Sequence, residues 1–329
     1  PVAAAERWAD PRLHVTDGLQ LWLDASRQSE VRQLNGHSQL RNGDALDAWY
    51  DASGHERHLA QPGRDSQPTY SMASEFSVVR FDGIDDFLVL QKFERTAKDV
   101  TVFIVGMPRS NTGDFRALIS GYQTGTDDYV TGFNLDLGPA ATARFETLNF
   151  EGAGFGGAVD LMDVSAPWEV FHTLCAVSSS GKESRVFIDG AAGGRRPRLE
   201  STLHIDSLVI AARHYGAGSS SPRVRGYFHG DLAEVLLYDR ALDENEQNAV
   251  EKYLRGKYSG IQEAMANAQR QKPLRKVENP PPVQVLVPGF SVRRLPLELT
   301  NINSIKYRHD GKLVALAYNG NVYLLSVSD

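Results

Sequence analysis

Three short stretches concentrate carboxylates: FDGIDDF (Asp82, Asp85, Asp86), GTDDY (Asp127, Asp128) and ALDENEQ (Asp243, Glu244, Glu246). Retaining glycoside hydrolysis needs two carboxyl groups roughly 5 Å apart, ordinarily from one strand in an ExDxxE arrangement. No such run occurs. Asp82, Asp85 and Asp86 flank Gly83 between apolar runs, which fits a polar turn, and DENEQ fits the first turn of a helix. His55, His58, His172, His204, His214 and His229 are scattered without HExxH spacing, and no GxSxG elbow is present. GAGFGG (152–157) lacks the Lys-Ser/Thr that completes a phosphate loop. Nothing here is arranged to make or break a covalent bond, so an enzyme is not expected.

Recognition is a better match to the residue types. Sugar faces stack on aromatic rings while planar polar side chains bind their hydroxyls. Tyr122, Tyr129, Phe155, Trp168 and Tyr215 fall in loop-like stretches, with Arg213 and His214 beside the last. The candidate ligand set is therefore Tyr122, Trp168, Arg213, His214 and Tyr215. Trp168 follows Pro167 and reads as covered by a loop more readily than displayed. Trp22 and Trp49 read as core or rim.

The elements that must hold such a set are mostly strands. GLQLWLDAS, VVRFDGIDDFLVL, DVTVFIVGMP, RALISGYQ, GFNLDL, ARFETLNFEG, EVFHTLCAVSSS, ESRVFIDGA, HIDSLVIAARH and YFHGDLAEVLLYD alternate or run apolar, separated by Gly/Ser/Asn/Asp turns. Many short strands with polar turns predict an antiparallel sandwich. The exception is DRALDENEQNAVEKYLRGKYSG, in which Asp243 and Glu246 form a capping-box pair. Ala249, Val250, Tyr253, Leu254 and Tyr258 share a face, Lys252, Arg255 and Lys257 suit the negative end of the helix dipole, and Gly260 suits its stop. The stripe needs a surface to cover, and the sandwich supplies it.

Beyond Gly260 the composition changes. Residues 261–282 are polar and then proline-rich, with Pro280 to Pro282 consecutive, and read as a linker that is helical at first and then extended. Strand signals resume over 283–329, punctuated by the turn pairs Asp310-Gly311 and Asn319-Gly320. A sheet of about four strands is expected there, too small to bury much by itself.

Composition bounds the partners. The 329 residues carry a net charge of −6, are 41% hydrophobic and 23% charged, and include one cysteine. A phosphate-binding face needs clustered Lys and Arg, and only Arg195 to Arg198 approach that, so nucleic acid is not expected as a partner. No apolar run reaches the roughly 20 residues that span a bilayer. Cys175, within FHTLCAVS, reads as a small buried hydrophobe and permits no internal disulfide.

The ordered set GLQLWLDAS, AWYDASGHERHLAQ, VVRFDGIDDFLVL, WEVFHTLCAVSSSGKESRVFIDGA and YFHGDLAEVLLYDRALDENEQNAVEKYLRGKY resembles the laminin-G-like, concanavalin A-like lectin/glucanase superfamily over about residues 12–260. The resemblance implies an all-β fold, a two-sheet antiparallel jelly roll over 1–260 that closes with a C-terminal helix. It also implies a glycan or protein ligand, and a structural calcium ion held by carboxylates, for which Asp24, Asp51 and Asp231 are the candidates. First and last strands commonly lie side by side in jelly rolls, which would bring Asp24 and Asp231 towards each other. YRHDGKLVALAYNGNVYLL, within 283–329, is similar to the first blade of bacterial six-bladed propellers of the glucose/sorbosone-dehydrogenase-like kind, including planctomycete proteins that join a propeller to a haem c domain. One blade cannot stand as a propeller, and these residues contain no CxxCH.

The expected protein is thus a non-catalytic binding or adhesion module of an exported multidomain bacterial protein, periplasmic or at the cell surface. The first residues, PVAAAERWADP, lack an initiating methionine, in keeping with a removed leader. The alternative is a structural subunit, or a piece of a dehydrogenase-like protein, whose blade-like tail pairs with other polypeptide chains or with the rest of a propeller.

Overall fold

The computed structural model describes residues 4–216, 224–270, 302–317 and 321–325. The chain divides into two units, Pro1–Ala268 and Gln269–Asp329.

The first unit is a two-sheet antiparallel sandwich of the jelly-roll kind. Among the described residues one sheet has eight strands. Seven run in the order Ala191–Pro197, Glu183–Ile188, His172–Ser178, Val100–Ser110, His229–Tyr238, Phe76–Asp82 and Thr69–Ala73; Leu19–Asp24 also pairs with His229–Tyr238. The other has seven, in the order Asn149–Gly152, Phe133–Asp136, Ala117–Tyr122, Ser207–Ile210, Leu88–Leu90, Leu59–Ala60 and Ala48–Trp49. Non-consecutive neighbours throughout show that the chain crosses repeatedly between layers. Leu21, Leu23, Phe81, Val102, Ile104, Leu174 and Leu237 from one layer meet Leu88, Phe133, Leu135, Phe150, Leu208 and Ile210 from the other in one buried cluster.

The strand His229–Tyr238 shows how sequence becomes packing. Leu232, Val235 and Leu237 all face the inter-sheet core, although a strict period of two would separate Leu232 from Val235. A register shift between Leu232 and Glu234 absorbs the extra residue as a bulge. The bulge turns Glu234 and Leu236 to the outer face, where Leu236 joins Trp22, Phe103, Val105 and Tyr238.

That outer face is covered by the closing helix Glu244–Lys257. Asp243 accepts from the Glu246 amide and Glu246 accepts from the Asp243 amide, so the expected capping box forms. Val250, Tyr253, Leu254 and Tyr258 are buried, whereas Ala249 is exposed. Gly260 takes φ +93°, and a second helix, Ile261–Arg270, follows with Ile261 and Met265 in the same apolar cluster. The stretch expected as a linker therefore starts as a packed helix; 271–282 lie outside the described residues. Two short helices, Gln28–Leu34 and Asp128–Thr131, were not expected. The first reads QSEVRQL and buries only Gln28 and Val31, so it carries too little apolar signal to stand out.

In the second unit the described strands are Ile302–Tyr307, Leu313–Ala317 and Val322–Leu325, a three-stranded antiparallel sheet. The Asp310-Gly311 turn joins the first two, with Gly311 at φ +77°. Asn319-Gly320 and the strand signals of 283–300 lie outside the described residues.

Candidate functional site

The outer face of the seven-stranded sheet is polar where its counterpart is apolar. One row across it reads Glu151, Asn134, Ser120 and Val209 in register. Asp136 and Asn149 form the next pair on the same face. Asp128 joins them from its short helix, whose following residue, Gly132, lies so close to the sheet that a Cβ there would sit 1.8 Å from the Gly121 carbonyl oxygen. No side chain fits at that point.

Arg213, only 2% exposed, is the cation of this face. It donates to both Asp128 oxygens at 3.1 and 2.7 Å, to Asp136 at 3.2 Å and to Glu151 at 2.9 Å. Phe115, Tyr129 and Tyr215 place their rings around the guanidinium. One cation thus faces three carboxylates. Burial pushes the Asp136 carboxyl up to about 7, and burial likewise raises that of Asp128, against the pull of Arg213.

Next along the chain, the His214 amide donates to Asp128 at 3.0 Å. The His214 ring stacks on Tyr122, with centroids 3.6 Å apart and planes 3° from parallel. Both rings line a cleft of about 730 Å³, together with Lys92, Glu94, Thr124 and Asp206. Asp206 ties the walls together. Its amide donates to the Tyr122 carbonyl and its carboxylate accepts from the Thr124 amide, each at 2.9 Å, while its carbonyl accepts from the Phe93 amide at 2.7 Å. Phe93 is buried, and on either side of it Lys92 and Glu94 hold φ of 61° and 50°. Left-handed backbone at two non-glycine residues in one lip is strain of the kind that clusters at ligand clamps.

The family model of the concanavalin A-like lectin/glucanases superfamily matches residues 82–246, half of the chain. The chain belongs to this superfamily. No curated protein matches it. Among solved structures, the binding domain of Paraclostridial Mosquitocidal Protein 1 is 15% identical, covering 74% of this chain and 53% of its own, with a TM-score of 0.47. The SAP-like pentraxin from Limulus polyphemus is 15% identical, covering 52% of this chain and 78% of its own, at 0.41. The botulinum neurotoxin type G receptor-binding domain is 8% identical, covering 65% of this chain and 52% of its own, at 0.45. The chain spans about half the length of the first of these.

In this concanavalin A-like domain the five residues expected to hold ligand separate. Tyr122 and His214 meet in the cleft; Arg213 lies buried beneath them and Tyr215 packs on it. Trp168 is elsewhere: its ring packs 5.7 Å from that of Phe145 and its Nε1 donates to the Thr142 carbonyl. It is a packing residue, as the preceding proline suggested.

The three aspartates expected to hold calcium do not fit a shared ion. The opening and closing strands do pair, but the residue opposite Asp24 is Glu234, not Asp231. Asp24 accepts from Lys257 Nζ at 2.6 Å and from Ser26. Asp51 accepts from the amides of Trp22, Ser53 and Arg57 and from the Ser53 hydroxyl. Asp231 is gripped by Arg80 and Arg109. All three are fully buried on donors that already neutralise or saturate them. Among the described residues the one close acid group is Asp82, Asp85 and Asp86. There Asp82 accepts from the amides of Ile84 and Asp85, and Asp86 from that of Asp82. That is the polar turn expected from FDGIDDF.

Lys92, Glu94 and Asp206 were not anticipated. QKFER falls between two strand-like stretches and HIDS opens a third, and left-handed backbone at Lys92 and Glu94 leaves no mark on residue type.

Proposed function

We propose that this chain is a non-catalytic binding module of an exported multidomain protein and that it holds a glycan in the cleft of Tyr122 and His214. The observation that carries the reading is the ring pair set among Lys92, Glu94, Thr124 and Asp206. Rings take the C–H face of a sugar, and short polar groups around them take its hydroxyls. A binding role is favoured over hydrolysis because none of the carboxylates that burial raises, Asp86, Asp128, Asp136, Glu234 and Glu251, lines the cleft. A glycan array probed with the intact chain tests this. Tyr122→Ala and His214→Ala should each weaken the strongest hit about tenfold or more, while leaving the unfolding midpoint unchanged. Parent-like affinity in both variants would remove the cleft from consideration.

A second reading concerns the C-terminal sheet. Ile305, Tyr307, Leu316, Val322 and Leu324 are each more than 40% exposed, on a sheet of three described strands. Apolar sheets with open edges invite further strands. This favours a blade-like segment that is completed by other strands, as in a larger propeller-bearing assembly. A monodisperse 36.3 kDa species in solution would count against it.

A further inference from the structure

Beside its apolar stripe, the closing helix has a second face at positions 244, 247, 248 and 251, which share the i, i+3, i+4, i+7 spacing. They carry Glu244, Gln247, Asn248 and Glu251. On the eight-stranded sheet, one row across the outer face reads Phe103, Cys175, Phe187 and Ala192 in register. The two sets line a cavity of about 330 Å³, with Arg185 and Gly190 at its edge. The rings of Phe103 and Phe187 make its floor apolar, and the small side chains of Cys175 and Ala192 leave room above them.

Two acceptors in this cavity lack donors. Glu251 is 6% exposed, and among the described residues nothing donates a hydrogen bond to it. Its ion-pair partner, Arg255, stands 3.9 Å away on an exposed side chain. Glu251 Oε1 lies beside Gly190, 3.5 Å from the point a Cβ would occupy there. Gln247 is buried as well; its Nε2 donates to the Leu242 carbonyl at 2.6 Å, and its Oε1 accepts from no described group. Arg185 and Glu244, of opposite charge, both reach solvent. Burial, with Asp189 reinforcing and Arg255 opposing, pushes the Glu251 carboxyl up to about 7.

A buried acceptor without a donor is costly, and a buried carboxylate more so. What relieves both is a ligand that brings N–H donors and positive charge on an apolar stem. Aromatic rings attract such a cation further. Among the described residues no group of three metal-ligating side chains surrounds Glu251, so a metal ion is the poorer match.

We infer that this cavity binds a small primary alkylammonium, with Glu251 and Gln247 taking its N–H donors and Phe103 and Phe187 its carbon chain. Its volume is at the small end of ligand pockets. It is set into the scaffold face and shares no lining residue with the Tyr122–His214 cleft, so it stands or falls separately from the glycan reading.

The test is calorimetric titration of the intact chain with n-butylammonium chloride, against sodium chloride at matched ionic strength and against 1-butanol. At pH 8 the parent should bind butylammonium saturably, about tenfold or more tighter than 1-butanol, which has the stem without the charge. At pH 6, where Glu251 holds its proton, the affinity should fall about tenfold. Glu251→Gln should bind weakly at both pH values, losing the pH dependence together with the affinity. Its unfolding midpoint at pH 8 should be no lower than the parent's, so that lost binding is not lost folding. Ala192→Leu, which narrows the cavity without touching a charge, should also weaken binding, and Tyr122→Ala should bind as the parent does. N-acetyl-lysine amide that binds more tightly than butylammonium assigns the cation to a protein side chain; equal or weaker affinity assigns it to a free amine. No saturable binding by the parent, 1-butanol bound as tightly as butylammonium, or parent-like affinity in Glu251→Gln overturns the site.

Discussion

The two outer faces of the sandwich solve the same problem in opposite ways. Each carries one buried cation beside several carboxylates. On the eight-stranded sheet Lys257 donates at 2.6 Å to both Asp24 and Glu234, and Glu234 also accepts from Trp22, Tyr253 and Tyr258. Burial opposes the Lys257 charge, but Glu234 and Asp24 outweigh it and raise its pKa. On the seven-stranded sheet Arg213 faces Asp128, Asp136 and Glu151. Around Lys257 lie the helix-covered apolar cluster of Trp22, Tyr253 and Tyr258 and, 3.9 Å from its Nζ, the Asp10 carboxylate. Around Arg213 the sheet itself is polar, and its cation leads straight into the His214–Tyr122 pair. The first arrangement locks a helix to a scaffold, and the second positions a surface for a ligand. A buried ion pair is thus no guide to function until what lies next to it is known.

Removing either cation tests that contrast with the largest expected effect. Lys257→Met and Arg213→Met each leave buried carboxylates uncompensated, which costs about 3–5 kcal/mol. Urea unfolding should show comparable losses in both. The variants should differ in ligand binding measured well below the unfolding midpoint: Lys257→Met should bind as the parent does, whereas Arg213→Met should lose affinity because Asp128 no longer holds the His214 strand in place. Equal binding defects would erase the distinction between scaffold and site.

A smaller effect sharpens the same line. Thr124→Pro would remove the amide that Asp206 accepts from and so loosen one wall of the cleft. Removing such a bond to a charged group is worth about 1.5–3 kcal/mol where it is buried, and less at this exposed residue. Binding should fall several-fold, by titration with the best glycan, while helix content and the apolar cluster around Trp22 stay unchanged in circular dichroism and tryptophan emission.

The two faces were also unequally legible. The helix-covered one could be read from residue types: Asp243 and Glu246 as cap, Val250, Tyr253, Leu254 and Tyr258 as stripe, Gly260 as stop. Those signals are local, and the structure keeps them. Lys257 was misplaced even so. It reads as a dipole partner at a helix end, because nothing near it in sequence announces Asp24 and Glu234, which are 233 and 23 residues away. On the polar face Tyr122 and His214 were chosen by residue type and do meet, across 92 residues. Of their supports, Asp128 stands in the acid pair of GTDDY without any sign of Arg213, and Asp136 and Asp206 carry no local pattern. Asp24, Asp51 and Asp231 failed as a set for the same reason: an isolated aspartate does not reveal which amide or guanidinium it will face.

Titration gives a third test. Glu251, on the helix-covered face, is 6% exposed, and burial pushes its carboxyl up to about 7 from 4.5. A raised acid pKa means that the folded state holds the proton more tightly than the unfolded state. The resulting stability is present below about pH 4.5 and lost as the pH rises through 7. Glu251→Gln should therefore gain about 1 kcal/mol over the parent at pH 8 and show little difference at pH 4. Denaturant midpoints across that range check the sign. Because Glu251 belongs to the scaffold, the ligand affinity at pH 8 should not move with it.

The smallest expected effect concerns the cap of the closing helix. Asp243 accepts from the Glu246 amide at 2.9 Å, and the Asp243 amide donates back to Glu246 at 3.0 Å. Glu246 is in turn held by Arg240 through both oxygens at 2.7 Å. Loss of an N-cap side chain costs about 1 kcal/mol, but here Glu246 and Arg240 still anchor the first turn, so Asp243→Ala should cost somewhat less. The first-turn amides should exchange hydrogen faster, whereas those around Val250 to Leu254, fixed by packing on the sheet, should not. Exchange that quickened in the cleft segment 122–128 as well would mean that the helix-covered face and the ligand face are mechanically coupled, and that the division between scaffold and site is drawn in the wrong place.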